Sequence, residues 1–522
     1  MNFFIKYSTI FLLVLIIIFH LVVNFIWLKV DNIPPSWDPA NHMLQSMWAF
    51  DIIKNPHLVF ENGLKCEGCY HLYPPLTGFM VSIFYLFLGV DIDNAILAIS
   101  IIFFSLLIIY TYKIGKMLSD YKTGLLAAFL VSMYPFIYIT SRQYFLDIPL
   151  TAMVTLAIYL LIKADNFKDI KYSFIFGIIL GMGFLTKEAF FLFIMGPLCC
   201  SFFYVHSIQQ IKNIIYALII CVILASIWYL PLLVYSKDYI RGFCSGRDGP
   251  PLFSIGSLLY YLKLFIFHQG SLLYGFLFIA SFILIKDWGK LKRIVLQWII
   301  FALIIFTSLS VKSERYTIPI LPAIALISAC GVMSINKVFL KRLAVYILVV
   351  YSLAQFILQS TGIIKLDRYF NDNNVYGRIC GDYFRGWQFA WFSYPRKIKL
   401  QIIDDMIGIL PLKNNLTLNP VYLISSNHIV NEYTLRYLFK TKHRDLYFEC
   451  LMFGRNPLIS LKRASAGSIF IYVDSPQGKM FSDKINKMLQ WIKHKKEAFN
   501  IIYTGKFQDG TGVFIYKKLI QE

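Results

Sequence analysis

Charge is what this chain has least of. Only 15% of its 522 residues are charged and 58% are hydrophobic, where ordinary soluble domains carry about 25% charged residues. That balance excludes a single soluble globule. Acid is scarcer still, at 29 Asp and Glu against 50 Lys and Arg, for a net charge of +21. No Lys/Arg block resembles a nucleic-acid-binding arm, and much of the basic excess sits beside apolar segments, where it sets topology. A nucleic-acid partner is therefore not expected. The remaining cations suit anionic lipid headgroups or a phosphate-bearing substrate. The apolar region also lacks the alternation of a membrane β-barrel. It shows no internal repeat of the kind common in transporters. The apolar run from Ser8 to Leu28, after Lys6, has no small-residue cleavage site and exceeds a signal-peptide core, so it reads as an uncleaved signal-anchor.

What is present is a ladder of apolar stretches over residues 1–360, each long enough to cross ~30 Å of hydrocarbon as a helix. The expected spans are 8–28, 94–112, 124–141, 148–163, 172–186, 188–206, 213–234, 270–286, 294–311, 316–335 and 343–360, eleven in all. Lys6, Lys113–Lys122, Lys163–Lys171, Lys212, Lys286–Arg293 and Lys337–Arg342 share one face, which positive charge assigns to the cytoplasm. The N-terminus is then cytoplasmic. The 29–93 segment, the 142–147 turn, the 235–269 loop, the 312–315 turn and the C-terminal domain lie outside a plasma (inner) membrane. Leu76–Val90 and Ser254–Phe267 read as interfacial helices. Residues 361–522 are more polar and form a separate extracytoplasmic α/β domain. Strands are expected at Val421–Ser425, Asp445–Cys450, Ser468–Val473, Ile501–Thr504 and Gly512–Tyr516. Helices are expected at 428–439 and 479–495, and a turn at Asp509–Gly512. That domain has no Gly-rich phosphate loop, nucleophile elbow or metal spacing, and reads as a lid or docking domain.

Two acidic sites fall at the same outer border: Asp38 in Trp37-Asp38-Pro39-Ala40-Asn41, and Asp147 in the run from Arg142 to Leu150. Either could simply open a helix, since Asp before Pro suits an N-cap. Carboxylates beside hydrocarbon are costly, however, and two at one surface point to a shared polar cavity. Cations gather on the same side: Arg142, Lys187 beside Glu188, Arg241 and Arg247 with Lys237, and Lys312 and Arg315 with Tyr316. Arg suits bidentate phosphate contacts and Lys acts as a point charge. This inventory suits group transfer from a lipid phosphate. A carboxylate would deprotonate an acceptor hydroxyl, and fixed cations would stabilise the departing phosphate.

Five blocks in order resemble the GT-C-fold membrane glycosyltransferases that use polyprenyl-phosphate sugars, the protein O-mannosyltransferases and the lipid A aminoarabinose transferase (glycosyltransferase family 39-type). They are Trp37–Asn41, Tyr73-Pro74-Pro75-Leu76-Thr77-Gly78, Arg142–Leu150, Gly181-Met182-Gly183-Phe184-Leu185-Thr186-Lys187 and Lys312–Pro322. The resemblance covers roughly residues 10–335 and, more loosely, the C-terminal domain. It implies an inverting transferase with Asp38 as base and Asp147 orienting substrate or base. Lys187, Lys312 and Arg315 would neighbour the lipid phosphate. The acceptor would be a hydroxyl of a protein, lipid A or glycan. Pro39 stands where the family usually has Glu, which removes a carboxylate that a metal would use. A lipid-linked-sugar flippase is the alternative reading, and an assembly partner for the outer domain a third.

Of nine cysteines, Cys199, Cys200, Cys221 and Cys330 fall in apolar segments and read as packing residues. Cys66 and Cys69 are open to three readings: a local disulfide, a divalent-metal site with His42, His57 or His71, or free thiols. Cys244 has no evident partner, and Cys380 and Cys450 could pair in the outer domain.

Overall fold

The computed structural model describes residues 2–58, 73–235, 254–309, 312–363, Pro395, 401–410 and, with breaks, 421–519. It divides into two compact units. One takes Met1–Lys29, Ala49–Leu64 and Tyr73–Pro395. The other takes Val30–Trp48 and Lys65–Leu72 with Arg396–Glu522. Asp38 therefore belongs to the unit that carries the C-terminal sheet, and Asp147, Lys187, Lys312 and Arg315 to the helical unit.

In the helical unit the described part of each expected span contains helix, with ends that differ from the expected bounds. Among the described residues five helices are long and apolar enough to cross a membrane, at Ser8–Val30, Ile92–Leu118, Ile208–Pro231, Lys290–Ser308 and Val338–Ser360. The chain is thus an integral membrane protein. The segment expected as one span over 124–141 is two helices, α6 (Tyr121–Met133) and α7 (Pro135–Thr140). Tyr134 between them is extended at ψ 128°, as a residue preceding proline prefers. The fourth span is α8 (Asp147–Lys163), buried along nearly its whole length. With α15 (Leu321–Met333) it forms the centre of the bundle; helices apolar on every side belong there. The peripheral α1 (Asn2–Val30), α11 (Ile208–Tyr235) and α16 (Val338–Ser360) leave Phe11, Ile227 and Phe339 exposed, as a lipid-facing surface requires. The backbones of α9 (Ile170–Phe184) and α11 touch closely. A Cβ on Gly177 would lie 2.5 Å from the Ala217 carbonyl oxygen, so only glycine fits. The two expected interfacial stretches are short helices, α3 (Leu76–Leu88) and α12 (Ile255–Leu264), and a π-helical turn, Phe265–Gln269, follows α12.

The other unit holds α2 (Asp38–Lys54, as far as Trp48), α17 (Gln401–Ile409), α18 (Glu432–Thr441) and a five-stranded sheet. Its strands are β1 (Val421–Ile424), β2 (Phe448–Cys450), β3 (Ile469–Asp474), β4 (Phe499–Lys506) and β5 (Gly512–Lys518), in the order β2-β1-β3-β5-β4. The first three are parallel, and β5 runs antiparallel to β3 and β4. All five expected strands are present. Leu423, Ile471 and Ile515 line one face, and Tyr422, Phe470 and Tyr472 the other. Both faces are covered, which explains the unbroken apolar runs of β1 and β3. The expected 428–439 helix is α18, opened by Asn431, whose side chain accepts from the Thr434 amide. Asp509 and Gly510 and much of 479–495 lie outside the described residues.

Candidate functional site

In the helical unit the site centres on the Asp147 carboxylate, 2% exposed at the first turn of α8. That position places its negative charge at the positive end of the helix dipole. The Lys187 ammonium donates to Oδ1 at 3.1 Å, and the Arg315 guanidinium pairs with Oδ2 at 3.5 Å. Arg315 also lies over the Phe145 ring, 4.7 Å from its centroid. Two cations share one carboxylate, which leaves the group positive by one charge.

Local sequence explains how each cation arrives. The Gly181-Met182-Gly183 block ends α9, where a Cβ on Gly183 would sit 2.4 Å from the Phe190 ring. Glycine lets the start of α10 (Phe190–Phe202) fold back against the end of α9. The Gly183 carbonyl then accepts from the Thr186 and Lys187 amides, turning Lys187 off the helix. The Leu76 amide donates to the Leu185 carbonyl at 2.9 Å, so the Pro-Pro block meets the Gly-x-Gly block. Arg315 sits in the turn that precedes Pro319. Gln269 braces this turn by donating to the Glu314 carbonyl at 2.7 Å and the Thr317 hydroxyl at 2.9 Å. Nothing in the sequence singled out Gln269, although an amide in an apolar stretch was the available signal. Glu314 is the residue before Arg315 in the same turn. It is partly buried, its Oε2 is enclosed without a hydrogen-bond partner, and burial pushes its carboxyl up to about 8.

The other expected donor-binding cations have different surroundings. The Lys312 ammonium donates to the Phe306 and Thr307 carbonyls, at 3.0 and 2.6 Å, at the C-terminal end of α14 (Lys290–Ser308). It also lies 5.6 Å from the Tyr261 ring centroid. Tyr316 packs its ring against Phe306. Arg142 is fully enclosed and reaches Asn24 and Ser360 rather than Asp147. Arg241 and Arg247, with Lys237, lie outside the described residues.

In the other unit Asp38 is half-buried as the first residue of α2. Trp37 before it has φ 50°, a left-handed conformation that bulky residues rarely adopt, and its carbonyl accepts from the Asn41 amide. The first turn of α18 packs on this segment. The buried Thr434 hydroxyl donates to the Pro35 carbonyl at 2.9 Å, and Tyr433 meets the Trp37 ring edge-on at 6.0 Å. The C-terminal domain thus touches the loop that carries Asp38, a contact between residues some 399 positions apart that no local pattern announces.

Cys199, Cys200, Cys221 and Cys330 are free thiols in helices. Cys66, Cys69, His71, Cys244, Cys380 and the Cys450 side chain lie outside the described residues. Among the described residues no three of His, Cys, Asp and Glu gather as metal ligands.

Residues 73–231 match the family model described as dolichyl-phosphate-mannose-protein mannosyltransferase; Asp147 and Lys187 fall inside the matched region, and Asp38 and Arg315 outside it. Over 343 residues the chain is 25% identical to an uncharacterized protein of Aquifex aeolicus (strain VF5), covering 62% of this chain and 63% of that one. The chain thus spans less than two thirds of that relative's length. The structure of ArnT from Cupriavidus metallidurans in the apo state is similar with a TM-score of 0.63 at 13% identity, over 96% of this chain and 97% of ArnT. ArnT bound to undecaprenyl phosphate is similar with a TM-score of 0.61 at 13% identity, over the same shares of 96% and 97%. The chain has the GT-C fold that its five sequence blocks implied.

Proposed function

We propose that this GT-C-fold membrane protein is a glycosyltransferase that moves a sugar from a polyprenyl-phosphate donor to a hydroxyl of an extracytoplasmic acceptor, with inversion. The observation that carries the reading is the Asp147 cluster. A buried carboxylate holding Lys187 at 3.1 Å and Arg315 at 3.5 Å keeps two cations fixed with one positive charge in excess. Such a group attracts a phosphate and stabilises the charge that grows on it as the glycosidic bond breaks. The matched family is named for a dolichyl-phosphate sugar, and ArnT has been seen with undecaprenyl phosphate, which supports a lipid-phosphate donor here.

In the proposed reaction the acceptor oxygen attacks the anomeric carbon and the bond from that carbon to the phosphate oxygen breaks. The electron pair leaves with the polyprenyl phosphate, and the hydroxyl proton passes to Asp38. A phosphate is a good leaving group, so no strong general acid is required. The side that carries short-loop positive charge is assigned to the cytoplasm. Asp38, Asp147 and the C-terminal domain would then face outward from an inner membrane.

The test is transfer of radiolabelled sugar from a panel of polyprenyl-phosphate sugars in native membranes, comparing wild type with Asp38→Asn. Label reaching an acceptor only with wild type would name the sugar and support the base. Absence of transfer from every donor, with intact protein, would sink the reading; labelled lipid crossing proteoliposomes without a new glycosidic bond would replace it with a flippase.

A further inference from the structure

Arg142 is a fully buried guanidinium with no carboxylate paired to it among the described residues. Its Nε donates to the Asn24 side-chain oxygen at 3.4 Å and its Nη2 to the Ser360 hydroxyl at 2.9 Å, while Nη1 has no partner. Three rings surround it, with Trp27 at 4.5 Å and Tyr138 and Phe356 each at 5.2 Å from the guanidinium carbon. Taking such a charge out of water is costly, and an apolar side chain would fill the same space without that cost. Compensation comes from the ring faces and from the C-terminal end of α16. That end carries partial negative charge and has no basic residue of its own in its last turn.

These contacts form part of one buried network. Asn24 in α1 donates to the Ser100 hydroxyl at 3.2 Å and the Ser141 hydroxyl at 3.0 Å. Ser100 donates to the Ser141 carbonyl at 3.2 Å, and the Tyr138 hydroxyl donates to the Gln359 side chain. The end of α7 and the turn after it are thereby fastened to α1 and to the end of α16. Five residues beyond Arg142 that turn delivers Asp147 to Lys187 and Arg315.

We infer that Arg142 is a positioning residue: it fastens the turn between α7 and α8 to α1 and α16, and so sets Asp147 between its two cations, without touching the donor phosphate. The inference rests on the transferase reading for its kinetic test. A guanidinium is suited to the task because its planar fork reaches two helices at once while stacking on rings, which an ammonium cannot do.

The test compares full-length wild type, Arg142→Lys, Asn24→Ala and Ser360→Ala in membranes with the donor found by the transfer assay. Arg142→Lys is expected to lower kcat by about tenfold or more, as misplacement of a reacting group does, with donor KM within about threefold of wild type. Asn24→Ala and Ser360→Ala are expected to lower kcat less. Asn24→Ala should add little on top of Arg142→Lys, because both break the same link. A raised donor KM with kcat retained would make Arg142 a donor contact and overturn the inference. So would unchanged kinetics in all three variants. If wild type turns over no donor, the transferase reading fails on its own, and hydrogen exchange reads the positioning directly. The amides of Gln143–Ile148 should exchange faster in Arg142→Lys and Ser360→Ala, with the remaining helices unchanged. Unaltered exchange there overturns the inference.

Discussion

The Lys187 ammonium lies 3.1 Å from the Asp147 carboxylate although 40 residues separate them in the chain. Asp147 is 2% exposed and Lys187 19%, so the pair is held in low dielectric at the edge of a polar site. A single charge left there would be poorly compensated.

Removing the shared anion should therefore do more harm than removing either cation. Asp147→Asn leaves Lys187 and Arg315 repelling each other, and breaking a buried pair costs on the order of 3–5 kcal/mol. We expect a lower unfolding midpoint and a loss of transfer of about 100-fold or more for this variant. Lys187→Met should leave the Arg315 pair intact and raise donor KM by roughly tenfold. Equal stability of Asp147→Asn and wild type in detergent would refute the shared role.

Glu314 should make stability fall with pH. Its carboxyl, pushed up by burial to about 8 from an ordinary 4.5, keeps its proton in the folded chain where an unfolded chain has released it. Between those values the folded state binds more protons, so its stability declines as pH rises through the window and is lowest above it. Glu314→Gln stays neutral and should flatten the decline. Unfolding midpoints at pH 5 and pH 9 measure this, and parallel pH dependence in both proteins would contradict it.

Lys312 should act on the fold before it acts on the donor. It satisfies two carbonyls at the end of α14, and losing such a cap costs about 1 kcal/mol. Lys312→Met is expected to lower the unfolding midpoint by a few degrees with donor KM nearly unchanged. A large rise in KM at unaltered stability would return Lys312 to the lipid phosphate.

Thr434 should matter to catalysis although it lies in the C-terminal domain. Thr434→Val strands the buried Pro35 carbonyl, a loss worth about 1–3 kcal/mol, and loosens the segment that leads to Asp38. Several-fold lower kcat is expected in Thr434→Val, with recovery in Thr434→Ser, which keeps the hydroxyl. Equal rates for the two variants would show that the contact does not reach Asp38.

Much of the site was legible because chemistry near a membrane is sparse in charge. Asp147, Lys187 and Arg315 stood out as polar residues at apolar borders, and the structure joins them. Gln269 and Asn24 did not stand out, since uncharged amides in apolar runs are routinely satisfied within their own surroundings. Arg142 and Lys312 were visible as cations at apolar borders, but nothing local gave the direction of their side chains.

The sequence by itself determined that residues 1–360 are a series of apolar helices and that the C-terminal domain carries a sheet of five strands, because hydrophobic runs and alternation are local and burial enforces them. The break before Pro135 was not read from the sequence, where 124–141 is expected as one span, although proline's restriction on Tyr134 is local. Only the tertiary structure decided that Arg142 turns to α1 and α16, that Lys312 caps α14, and that the loop carrying Asp38 belongs with the C-terminal domain. A long charged side chain can reach partners several ångströms away in many directions. Which it takes depends on the helices packed around it, and those are chosen by the whole chain.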